Sequence, residues 1–120
     1  MTATSDGLVR LEGIAATAVE SGALYSATLP NGNRVCIGRH ADGLSFFAVK
    51  DSCPHREYPL SEGTLYANGE IECCWHGARF DCRTGAVLQG PAESELVRYE
   101  VEERDGALWV RSAPIPPVKR

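Results

Sequence analysis

Apolar positions recur along this chain in short alternating runs separated by glycine-, asparagine- and proline-rich turns, a pattern that predicts β-strands. Leu8-Val9-Arg10-Leu11 predicts an opening strand. Residues 23–29 predict a second, ended by Pro30-Asn31-Gly32-Asn33, and residues 34–39 return from that turn, so the two predict a hairpin. Ala41-Asp42-Gly43 predicts another turn, followed by a strand over residues 44–50 with Phe46, Phe47 and Val49. Asn68-Gly69 between residues 64–66 and 70–73 predicts a second hairpin. Arg104-Asp105-Gly106 between residues 97–101 and 107–111 predicts a third.

Helix is nearly absent from the pattern. Residues 15–21 allow a turn or two at most, because Val19 favours strand and Gly22 follows. Residues 112–120, with three prolines and a Lys-Arg end, read as a frayed extended tail. Short strands joined by such turns imply an all-β fold, an antiparallel sandwich or barrel. At 120 residues, with no repeat and no linker, residues 1–120 are expected to form one domain.

Two segments, 51–63 and 74–85, break the alternation, and both are read as loops that follow strands. They hold Cys53-Pro54-His55 and Cys73-Cys74-Trp75-His76, that is, Cys-x-His, seventeen residues, then Cys-x-x-His. Two thiols and two imidazoles suit tetrahedral zinc or an iron–sulfur cluster. One residue between the members of a Cys-x-His pair is tight for a single zinc. It is comfortable if each loop gives a thiolate to one iron and an imidazole to the other, as in a Rieske centre. Cys53, His55, Cys73 and His76 are therefore the candidate metal ligands. A self-sufficient non-haem oxygenase would need two further histidines and a carboxylate, and only His40 remains of three histidines.

Composition narrows the function classes. The formal net charge of −4 and the scattered lysines and arginines leave no nucleic-acid footprint. No basic n-region with an apolar stretch begins the chain, and no apolar run could span a bilayer, so a cytoplasmic protein without membrane attachment is expected. Five cysteines, an odd number, then favour metal ligation over a disulfide framework.

Cys53-Pro54-His55-Arg56, Pro59-Leu60-Ser61-Glu62-Gly63, Cys73-Cys74-Trp75-His76-Gly77-Ala78-Arg79-Phe80-Asp81 and Thr84-Gly85 together resemble the Rieske family, in particular the ferredoxin components of bacterial aromatic-ring-hydroxylating dioxygenases. Gly90-Pro91-Ala92 and the last hairpin fit as well. The resemblance implies the Rieske fold, with a small cluster-binding subdomain at about residues 51–89, and one [2Fe–2S] cluster per chain. It implies a non-enzymatic carrier that takes electrons from a flavin-containing ferredoxin reductase and passes them to a terminal oxygenase. Docking would occur near His55 and His76, on a rim of Pro54, Arg56, Trp75, Gly77 and Pro91, with no small-molecule substrate. The small Rieske subunit of an assimilatory nitrite reductase is the alternative. Cys74 stands where the family usually has Pro and is expected to be a packed or weakly exposed thiol. High-potential members carry hydroxyl donors where this chain has Ala78 and Phe80, and an inter-loop disulfide where it has Tyr58 and Trp75.

The remaining conspicuous residues have ordinary expectations. His40 reads as a solvated turn residue, Cys36 as a buried inert thiol and Cys82 as a turn residue without chemistry. Trp109 reads as core, Trp75 and Phe80 as a shield for the cluster, core filling or both, and Glu93, Glu95, Glu100, Glu102 and Glu103 as a solvated strand face, with part of a docking surface as the alternative.

Overall fold

The computed structural model describes residues 8–40, 43, 45–52, 59–73, 77–89 and 95–115. Ten strands run through them: β1 Leu8–Ala15, β2 Leu24–Thr28, β3 Arg34–Arg39, β4 Phe46–Lys50, β5 Thr64–Leu65, β6 Glu70–Glu72, β7 Arg79–Asp81, β8 Val87–Gln89, β9 Arg98–Arg104 and β10 Ala107–Ile115. The only helical pieces among the described residues are two 3₁₀ turns, Ala16–Ala18 and Leu60–Glu62.

The strands form two antiparallel sheets. The larger has the order β1-β10-β9-β4-β3-β2 and the smaller β5-β6-β7-β8. The large sheet curls until its edge strands β1 and β2 approach each other. All three predicted hairpins form: Tyr25 pairs Ile37, Leu65 pairs Ile71, and Leu108 pairs Glu103. At the tip of the β5–β6 hairpin Gly69 sits at φ +88°, in the left-handed region a side chain disfavours, and the Asn68 side-chain oxygen accepts the Glu70 N–H at 3.1 Å.

The period of two divides the strand residues between two cores. Val35, Ile37, Phe46 and Ala48 point inside the curled sheet, where they meet Leu11, Val19, Leu29, Tyr99, Leu108 and Val110. Their neighbours Cys36, Phe47 and Val49 point the other way, onto Leu60, Leu65, Ile71, Cys73, Ala78, Phe80 and Cys82 of the smaller subdomain. Central strands β3 and β4 are thus buried on both faces, which accounts for the unbroken apolar runs Val35-Cys36-Ile37 and Phe46-Phe47-Ala48-Val49. Gly38 belongs to this packing: a Cβ there would collide with the Phe47 ring.

Several expectations are corrected. Segment 74–85 is not loop throughout, because Arg79–Asp81 pairs with β6 and β8. Three residues are too few to show a strand period, and β7 exists because a partner lies on each side. Residues 112–115 are not frayed, since β10 continues to Ile115, with Pro114 opposite Tyr99 and Ile115 opposite Arg98 beyond a register shift. Residues 116–120 lie outside the described set. The opening strand is longer than residues 8–11, and Trp109 is only partly buried: alternation turns Leu108 and Val110 inward and leaves the indole outside under the Arg104 guanidinium, 5.6 Å from the ring centroid.

Candidate metal centre

Of the four expected ligands, only Cys73 falls within the described residues. Cys53 and His55 lie in 53–58 and His76 in 74–76, outside them, as do Pro54, Arg56, Cys74, Trp75 and Pro91. The feet of both segments are nonetheless in place, and they adjoin.

The first segment leaves the end of β4 at Asp51. The Asp51 N–H donates to the Arg34 carbonyl at 3.0 Å. The carboxylate is fully buried and accepts two hydrogen bonds from Ser61, from its N–H at 2.8 Å and its hydroxyl at 2.9 Å. Arg34 Nη2 stands 3.7 Å away. The chain re-enters at Pro59 and turns through Leu60–Glu62, which plants the fully buried Leu60 in the lower core.

The second segment springs from the β6–β7 ladder. Beyond the pair Glu72–Arg79 the Cys73 N–H donates to the Ala78 carbonyl at 2.8 Å, closing a loop over residues 74–77. Gly77 returns the chain at φ +72°, and its carbonyl accepts from the Gln89 amide at 3.2 Å. Cys73 is 1% exposed, in the core that also holds Leu60. A Cβ on Gly63, at the exit of the first segment, would strike the Glu72 carbonyl, so the two feet meet backbone to backbone.

A polar brace lies on the other side of β6 and β7. The Tyr66 hydroxyl donates to Glu72 Oε1 at 2.5 Å, and Arg79 lies over the Tyr66 ring with its carbon 4.7 Å from the centroid. Arg79 donates to Glu70 at 3.2 Å, and its Nε is 3.6 Å from Glu72 Oε2. The hydrogen bond to Glu72 raises the Tyr66 phenol above its ordinary range, and the one to Glu70 raises the Arg79 guanidinium. A Cβ on Gly77 would touch Glu72 Oε2, so this brace reaches the ligand loop.

The donor set fits an iron–sulfur cluster. Soft thiolates favour Fe–S or Zn, and Cys73 presents its sulfur from a dry core rather than from a solvated turn, which limits water access to anything it binds. No group of three or more His, Cys, Asp and Glu able to hold a metal occurs among the described residues, so no second centre competes there.

The other thiols behave differently from one another. Cys36 is fully buried, and burial followed by the Asp51 charge pushes its pKa far above the usual range, consistent with an inert thiol. Cys82 stands in a turn, as expected, and is buried there. It is 2% exposed, burial pushes it up to about 11, and its sulfur lies 3.7 Å from His40 Nδ1. His40 is half-buried rather than fully solvated: its ring packs on Phe47 at 5.3 Å between centroids, and it lines a cavity of about 310 Å³ with Cys82, Leu65 and Tyr66. Glu95, Glu100, Glu102 and Glu103 are exposed as expected, with Glu100 paired to Arg111 and Glu102 to Arg104. Glu93 lies outside the described residues.

Nothing in the sequence assigns a role to Asp51 or to the Tyr66–Glu72–Arg79 brace, and Ser61 and Arg79 stand out only as members of the family motif. A signal existed for Asp51 and Ser61: an acidic residue directly after the apolar run of β4, with a serine among Leu60-Ser61-Glu62.

Comparison with known proteins agrees with this geometry. A family described as Rieske [2Fe-2S] domain matches residues 14–100. The ferredoxin component of the p-cumate 2,3-dioxygenase system of Pseudomonas putida is 36% identical over 104 residues, 86% of each chain. The ferredoxin of carbazole 1,9a-dioxygenase from Nocardioides aromaticivorans IC177 superposes with a TM-score of 0.76 at 30% identity, over 86% of this chain and 95% of that one. A chain from the complex of reduced oxygenase and oxidized ferredoxin in carbazole 1,9a-dioxygenase superposes with a TM-score of 0.81 at 28% identity, over 92% and 97%.

Proposed function

This chain belongs to the Rieske [2Fe–2S] domain family, and from that membership we propose that it is a one-electron carrier between a flavin-containing reductase and the terminal oxygenase of an aromatic-ring-hydroxylating dioxygenase system. Its cofactor is a Rieske-type [2Fe–2S] cluster. Cys53 and Cys73 would hold one iron, and His55 and His76 the other. When bound, the cluster supplies a reversible one-electron couple and no group-transfer chemistry.

The observation that carries this reading is the buried Cys73 thiol at the foot of a short loop, braced backbone to backbone against the foot of the loop that bears Cys53 and His55. The protein's own residues do three things in it. Cys73 and the surrounding Leu60, Ile71 and Phe80 exclude water from the thiolate side. Asp51, Ser61 and Gly63 close the first ligand segment, and Glu72, Gly77 and Gln89 hold the second. Docking near His55 and His76, on the rim of Pro54, Arg56, Trp75, Gly77 and Pro91, would bring a partner's redox centre close to the iron those histidines would hold. Such contacts are small and transient. The aromatic substrate never touches this chain, which is not itself an enzyme and works in the cytoplasm as one domain. None of its described helices is long and apolar enough to cross a membrane.

The relatives named above support an oxygenase partner over a nitrite reductase. Anaerobic stopped-flow mixing of the reduced protein with an oxidised dioxygenase terminal component tests it. The expected result is reoxidation of this protein with matching reduction of the oxygenase. A colourless, zinc-containing protein, or a coloured one that reduces a nitrite reductase but no oxygenase, overturns the reading.

A further inference from the structure

We propose that Asp51 is a positioning residue whose carboxylate, clasping Ser61, joins the two ends of the segment that carries Cys53 and His55 before iron arrives. The proposal rests on the reading that these two residues are ligands.

The geometry is that of a clasp. One carboxylate joins Asp51 to Ser61, ten positions on, through both of its oxygens, to the Ser61 N–H at 2.8 Å and the Ser61 hydroxyl at 2.9 Å. Each end is anchored on its own account. The Asp51 N–H is bonded to the β3 carbonyl of Arg34 at 3.0 Å, and Leu60, beside Ser61, is fully buried in the lower core. The Gly63 N–H closes the turn onto the Leu60 carbonyl at 2.9 Å. Ordering a flexible backbone residue opposes binding. A segment whose ends are already joined has far fewer arrangements to lose when it wraps a cofactor.

The burial of the carboxylate is the second part of the argument. Its side chain is fully buried, and Arg34, the cation paired with it among the described residues, is 58% exposed and 3.7 Å away, beyond hydrogen-bond range. A charge in such a place is destabilising unless its hydrogen bonds compensate. Each of its oxygens accepts a hydrogen bond from Ser61. A residue serving only the fold could be an apolar side chain on the lower core, which lies directly beneath. The carboxylate at this place is explained by the closure it makes.

Hydrogen exchange of the apo-protein tests the clasp without the cluster. The Ser61, Glu62 and Gly63 amides should be protected in apo wild type, and at least tenfold less so in Asp51→Ala. Asp51→Asn, which keeps one acceptor, should fall between, and serves if the alanine variant fails to fold. With holo-protein and an iron chelator, Asp51→Ala and Ser61→Ala should lose the visible spectrum at least tenfold faster than Val110→Ala. That variant opens the other core, with its fully buried residue far from the loop. Ser61→Thr, which retains the hydroxyl, should restore the wild-type rate. Equal protection in wild-type and Asp51→Ala apo-protein, or equal cluster loss in Asp51→Ala and Val110→Ala, overturns the proposal. A wild-type protein that never takes up the cluster overturns the functional reading instead, and the apo exchange result still stands on its own.

Discussion

Leu60→Ala is the substitution through which the fold most directly reports on the metal centre. Leu60 is fully buried, and shares its core with Phe47 and Val49 of the large sheet and Ile71, Cys73 and Phe80 of the small one. It also sits in the 3₁₀ turn that ends the first ligand segment. Truncating such a leucine loses its transfer free energy and leaves a cavity, together about 2–5 kcal/mol, a large part of the roughly 5–15 kcal/mol that stabilises a domain. For 120 residues the unfolding entropy near the midpoint is about 0.25 kcal/mol/K, so the melting temperature should fall by roughly 8–20 °C. Because cluster loss makes unfolding irreversible, the variants are compared at one scan rate, with far-ultraviolet circular dichroism and visible absorption followed together. Both signals should shift by the same amount, since the residue that packs the sheets also packs Cys73. Leu88→Ala is the control: Leu88 is 50% exposed on β8, and its truncation should move the midpoint by no more than about 2 °C, from the roughly 0.5 kcal/mol typical of surface changes. If Leu60→Ala shifts the midpoint no more than Leu88→Ala, the shared core is not what joins the sheets. If secondary structure melts early while the visible spectrum keeps its wild-type midpoint, Leu60 is not coupled to the ligand loops.

Three further outcomes are expected. Cys53→Ser, His55→Ala, Cys73→Ser and His76→Ala should each abolish the normal cluster by iron analysis and visible absorption. Cys36→Ser, Cys74→Ser and Cys82→Ser should keep it, with Cys36→Ser less stable by about 1–3 kcal/mol for placing a hydroxyl in a fully buried position. Protein-film voltammetry should place the midpoint near the low end of the Rieske range, around −150 mV, because Ala78 and Phe80 supply no donor; a value above about +100 mV contradicts this. Alkylation of Cys82 by iodoacetamide should be slow at neutral pH and rise towards pH 11. With its pKa raised from 9.0 to about 11, Cys82 contributes stability that is full below pH 9 and lost by pH 11. A Cys82 that reacts at neutral pH as fast as an exposed thiol contradicts the burial assigned to it.

The sequence by itself determined whatever is decided within a few residues. Turn chemistry such as Asn68-Gly69 and Asp105-Gly106 works through local φ and side-chain-to-backbone bonds, so the three hairpins were legible, and β3 was read to the residue. Cys-x-His and Cys-x-x-His are likewise short-range patterns, which is why they can be read as a candidate ligand set without any fold. Tertiary structure alone decided what depends on a partner elsewhere in the chain. Arg79-Phe80-Asp81 is a strand only because β6 and β8 flank it, and Pro114 and Ile115 are strand only because Tyr99 and Arg98 lie opposite. Cys36 and Phe47 read as interior residues, but which of two cores they enter depends on where the second sheet docks. His40 and Cys82 stand 42 positions apart and looked like separate turn residues until packing brought them to 3.7 Å. The Asp51–Ser61 clasp has the same origin. Each residue alone is an ordinary polar side chain, and only the burial of Leu60 beside them turns the pair into a fixed contact between two points ten positions apart.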